Sequence, residues 1–81
     1  MTVIYVYIDK TQTGDNIWRL MQESGISARE LQEYMGFASI QAVYHWKQGI
    51  NLPSIDSLLV LSHLWDIPVN EIIVYRIIES S

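Results

Sequence analysis

Apolar residues along this 81-residue chain fall into two patterns, each predicting a different kind of element. Residues 2–8, TVIYVYI, are β-branched and aromatic without polar alternation, the composition of a strand covered on both faces. Residues 72–78, IIVYRII, have the same character. A lone strand leaves backbone groups unpaired, so these terminal segments are expected to pair, with each other or across a dimer. Between them, apolar residues recur at helical spacing. Ile17, Leu20 and Met21 mark a first helix over about 14–24, with Thr13 as its cap and Asp15 in its first turn. Trp18 falls off that stripe and is expected on the rim against the terminal strands, while the polar run 9–13, DKTQT, reads as a connector.

The most informative stretch is 27–49, SARELQEYMGFASIQAVYHWKQG. Ser27 suits a helix N-cap, and Ala28, Leu31 and Met35 form an apolar stripe behind it. Gly36 follows where a left-handed helix-ending residue is needed. Phe37 then plugs the core as the chain reverses, and Ser39 caps a second helix over 40–48. In that helix Val43 and Trp46, with Ala42, face inward. Ile40, Tyr44 and Gln48 lie on the opposite side, with Gln41 and His45 beside them. Helix, glycine turn and helix with an uncommitted polar face is the plan of a helix-turn-helix. A helical hairpin with a solvated outer face fits the same spacing. Full burial of Trp46 would make its replacement by alanine cost ~3–5 kcal/mol.

Residues 50–53, INLP, read as an extended linker, because the residue before proline avoids helical angles. Ser54 caps a fourth helix to about residue 65, with Ile55, Leu58, Leu61, Leu64 and Trp65 as its buried face. After Asp66-Ile67-Pro68, a short fifth helix is expected over 69–73.

Composition narrows the chemistry. A hydrophobic fraction of 49% is ample for one folded domain and argues against general disorder. The absence of cysteine removes disulfide frameworks and thiolate metal sites. His45 and His63 stand far apart without further ligands, so no metal or cofactor is expected, and His63 reads as structural. The carboxylates form no close pair, and no phosphate loop or serine-nucleophile motif occurs, so the chain does not read as an enzyme. No apolar run is long enough to span a bilayer and no secretory leader is evident, so a soluble cytoplasmic protein with no membrane or small-molecule partner is expected. The formal net charge of −4 counts against strong non-specific attraction to phosphate.

Taken together, GDNIWRLMQESGIS, ELQEYMGF, VYHWKQG and LPSIDSLLVLSHLWDIPVNEII resemble the Cro/phage-repressor type of helix-turn-helix domain, often called XRE-like. The ordered set Trp46, Gly49 and Pro53, followed by Leu58, Leu61 and Ile67, carries the resemblance. It implies a mainly α fold, a compact five-helix, lambda-repressor-like domain over the whole of 1–81. Its helix-turn-helix core spans about 14–73, and short paired strands lie at 2–8 and 72–78. It also implies a sequence-specific transcriptional regulator, repressor or activator, that binds double-stranded DNA as a homodimer. Carried onto this chain, the base-reading positions are Ile40, Gln41, Tyr44 and His45. Gln41 suits adenine and Ile40 a thymine methyl, while Tyr44 or His45 reaches a base edge or phosphate. Phosphate contacts fall to Ser39, Lys47 and Asn51, with Arg19 in the surrounding basic patch.

Three departures stand out. A glutamine that often holds a phosphate is here Ala28, leaving Arg29 as its substitute, and a position usually small is Gln32. The turn before the reading helix is also about one residue longer than in compact phage repressors. An acidic chain with only five Lys and Arg residues leaves an alternative function behind the DNA-binding one: a helix-turn-helix module turned to protein partners, with weak or no DNA binding.

Overall fold

The first helix is set by Asp9, whose carboxylate accepts the Gln12 backbone N–H at 2.8 Å. A computed structural model describes all residues, Met1–Ser81, in the order β1 (Val3–Ile8), α1 (Lys10–Ser24), α2 (Ala28–Met35), α3 (Gln41–Lys47), α4 (Ile55–Trp65), a 3-10 turn (Val69–Glu71) and β2 (Tyr75–Ser80). With Asp9 as the cap, the expected connector at 9–13 becomes the first turn of α1. Its lack of apolar periodicity reflects exposure of Lys10, Thr11 and Gln12. Thr13, expected as the cap, is instead fully buried, and its hydroxyl accepts the Val74 N–H at 2.9 Å.

α2 begins with a reciprocal box: the Ser27 hydroxyl accepts from the Glu30 N–H, and the Glu30 carboxylate accepts from the Ser27 N–H, both at 3.1 Å. It ends at Gly36, whose φ of 70° is one that residues with a Cβ rarely adopt. The Ser54 hydroxyl caps α4 by accepting the Ser57 N–H at 3.2 Å. Eight side chains from all four helices and the segment after them make the core: Ile17, Met21, Leu31, Val43, Trp46, Leu58, Leu61 and Ile72. No helix is long and apolar enough to cross a membrane.

The expectation of a mainly α, five-helix domain is corrected. The molecule has four α-helices and a two-stranded antiparallel sheet, a mixed α/β arrangement. The expected fifth helix is only the three-residue turn Val69–Glu71. The reason lies in α1, where the Asn16 amide donates to the carbonyls of both Glu71 and Ile72 at 3.0 Å. Those carbonyls are engaged by a tertiary contact instead of continuing a helical ladder. Ile72, expected in the second strand, is fully buried in the helical core, and pairing starts only at Tyr75.

β1 and β2 pair in register from Val3–Ser80 to Ile8–Tyr75, and the Asp9 N–H extends the ladder to the Val74 carbonyl at 2.9 Å. The expectation that these strands are covered on both faces fails, since every residue of the ribbon is exposed. The two strands contact little besides each other. Ile55 is a further correction: expected on the buried face of α4, it is 77% exposed, because α4 turns only the side bearing Leu58 and Leu61 to the core.

Candidate nucleic-acid interface

α3 spans Gln41–Lys47, shorter at both ends than the expected 40–48, and Ile40 rather than Ser39 occupies the cap position, without a side-chain hydrogen bond. Seven residues with an unassisted first turn do not hold a helix in water. Packing must therefore hold α3 in place, and two contacts do so. Val43 is fully buried and Trp46 nearly so, and the Trp46 ring meets Phe37 edge-on with centroids 5.8 Å apart. On the other side, α1 passes so close that Gly14 abuts the Trp46 backbone. A Cβ on Gly14 would lie 1.8 Å from the Trp46 carbonyl oxygen.

The turn from α2 into α3 is held by Gln32. Its side-chain amide donates to the Phe37 carbonyl at 3.2 Å, satisfying a backbone group that neither helix can reach. Gln32 thus has a local use, fixing the turn 36–40.

With its inner side fixed, α3 presents Gln41, Tyr44 and Gln48 to the outside. Ile40 and His45 are only half-buried, and Ser39 and Asn51 are exposed on the flanking segments. Gln41 offers the donor–acceptor pair that matches adenine in a major groove, and Tyr44 offers a hydroxyl. Tyr44 is not free-standing, because its ring leans on Trp18 of α1 with centroids 5.5 Å apart and planes inclined at 41°. Trp18 is therefore corrected from a rim residue on the terminal strands to a support beneath the outward face of α3. Sequence spacing placed Trp18 off the core stripe but held no signal for this partner.

The cations expected to meet phosphate are differently placed. Lys47 donates to Asp15 of α1 at 2.9 Å, and Arg19 pairs with Glu23 at 2.7 Å while also donating to the Asn16 side-chain oxygen. Both ion pairs are open to solvent, so each holds its cation by no more than about 1 kcal/mol, well within what a phosphate contact can replace. Arg29 is exposed at the start of α2 and belongs to neither pair. Searches of family models, curated proteins and solved structures found no match to this chain.

Proposed function

We propose that this protein is a cytoplasmic, sequence-specific DNA-binding regulator that reads the major groove with α3, acting as a homodimer on a two-fold-related site. One observation carries the proposal. α3 is clamped from behind by Val43 and Trp46 while Gln41 and Tyr44, on the other side, remain exposed, Tyr44 with its ring propped by Trp18. A solvated helix needs no such support for a protruding tyrosine, whereas a reading helix gains from side chains already held in position. Gln41 and Tyr44 read bases, Ile40 and His45 flank them, and Ser39, Asn51, Lys47 and Arg29 meet the backbone, with Arg19 at the margin.

The acidic balance sets the expected strength. With five Lys and Arg residues against nine Asp and Glu, few phosphates are neutralised, so affinity is modest and falls gently with salt. Selection of bound sequences from a random duplex pool at low salt tests the proposal, with Gln41→Ala and Tyr44→Ala in parallel. The expected outcome is a defined preference that either variant relaxes. No enrichment at low salt would favour the module that binds protein partners, and unchanged preference in both variants would move the reading face elsewhere.

A further inference from the structure

We infer that the β1–β2 ribbon is a self-association surface, and that β1 pairs antiparallel with β1 of a second copy into a four-stranded sheet. The inference does not depend on DNA binding. An isolated two-stranded ribbon is marginal in water, yet here it stands out from the helices with apolar side chains bare on both faces, Ile4 at 61% exposure on one and Val3 at 45% on the other. β1 has an open edge with no charge, proline or bulge along VIYVYI, so none of the devices that keep an edge unpaired is present. The only two charged ribbon residues, Arg76 and Glu79, both lie on β2, where Arg76 sits over the Tyr7 ring at 5.3 Å.

Symmetry selects the occupant and the edge. A two-fold axis normal to the sheet keeps each side chain on its own face, so it passes through a residue rather than between residues. Centred on Tyr5, it sets Ile4 opposite Val6 and Val3 opposite Tyr7 of the second copy. Centred on Val6, it sets Tyr5 opposite Tyr7 and Ile4 opposite Ile8. Every pair within β1 is apolar or aromatic in either register, and the one centred on Tyr5 also keeps Asp9 out of the pairing, whereas the one centred on Val6 sets Asp9 opposite Val3 at its end. The same operation on β2, centred on Ile77, places Arg76 opposite Ile78 and Tyr75 opposite Glu79; centred on Ile78, it places Glu79 opposite Ile77. Each of these sets a charge against an apolar side chain. Pairing β1 of one copy with β2 of the next leaves an open edge at both ends and propagates into a fibre. A two-fold pairing of either strand closes as a dimer, and the β1–β1 one is selected because it opposes uncharged side chains and leaves the charged strands outside.

The chain contains no cysteine, which makes the test direct. Directly opposed residues in an antiparallel pair stand close enough for a disulfide. Light scattering without DNA at roughly 100 µM should give a dimer, and Val6→Lys should weaken it at least about tenfold. Its far-UV circular dichroism should show the helices intact. On mild oxidation Tyr5→Cys or Val6→Cys should cross-link to its own copy several-fold faster than Ile77→Cys or Ile78→Cys. A monomer at that concentration, cross-linking through β2 as fast as through β1, or a dimer indifferent to Val6→Lys would each overturn the inference. Should Val6→Lys fail to fold, the four cysteine variants decide. Because no DNA is present, failure here is separable from failure of the regulator proposal.

Discussion

Gly14 of α1 and Trp46 of α3 are in backbone contact: a Cβ added at Gly14 would lie 1.8 Å from the Trp46 carbonyl oxygen and 3.2 Å from the Lys47 Cα. The two helices therefore meet at a point where no side chain fits, and that contact sets how far the outward face of α3 stands from the body. Inside a helix, Gly→Ala ordinarily adds about 1 kcal/mol of stability. At Gly14 the clash is with backbone, which cannot rotate away, so Gly14→Ala should destabilise by about 1–3 kcal/mol in urea unfolding. A more stable variant would mean that α1 and α3 do not touch there.

Trp46→Ala removes the largest side chain from the core and the edge-on partner of Phe37. The expected cost is about 3–5 kcal/mol, a large part of the whole stability of a domain this size. Thermal unfolding followed by circular dichroism should show the variant largely unfolded at 37 °C. Trp46→Phe should lose visibly less, because part of the volume stays filled.

Thr13→Val keeps the shape of the side chain but leaves the Val74 N–H, now paired at 2.9 Å, without its acceptor. A fully buried donor left unpaired costs about 1–3 kcal/mol, and this half-buried one should cost about 1 kcal/mol. The damage should be local to the base of the ribbon, where hydrogen exchange at Val74 and Asp9 should accelerate before that in α4.

Tyr44 and Trp18 form a pair in which only Tyr44 stands on the outward face. If the regulator proposal holds, Trp18→Ala should weaken binding to the selected duplex although Trp18 lies behind the reading face. Gln41→Ala, on an exposed side chain, should alter sequence preference while shifting stability by no more than about 0.5 kcal/mol. Equal duplex affinity for Trp18→Ala and the native chain would remove the supporting role assigned to Trp18.

Asp15→Asn frees Lys47 from its 2.9 Å ion pair and moves the formal charge from −4 to −3. Stability should change by less than about 1 kcal/mol, since the pair is open to solvent. Duplex affinity should rise and its dependence on salt should steepen, whereas Lys47→Ala should do the reverse. Filter binding across a salt series measures both.

What could be read from the chain alone was whatever depends on residues a few positions apart. The inward pairing of Val43 with Trp46, the Ser27 and Ser54 caps and the helix end at Gly36 follow from helical periodicity and the geometry of free N–H groups, both complete within a turn or two. The exposed placement of Gln41 and Tyr44 came with them. The class of the fold, the exposure of the ribbon and the support of the site did not. Thr13 meets Val74 61 residues away, Asn16 meets Glu71 55 away and Lys47 meets Asp15 32 away. Those contacts cut the expected fifth helix to a single turn and tied Lys47 back to α1, whereas the Asp9 cap is a local contact three positions long that the polar run 9–13 concealed. An apolar run such as VIYVYI specifies a strand that avoids water, but whether helices or another chain cover it depends on where the assembled helices leave room. Within one copy they leave the ribbon bare, because the helices bury their apolar side chains against one another and the strands contact little besides each other.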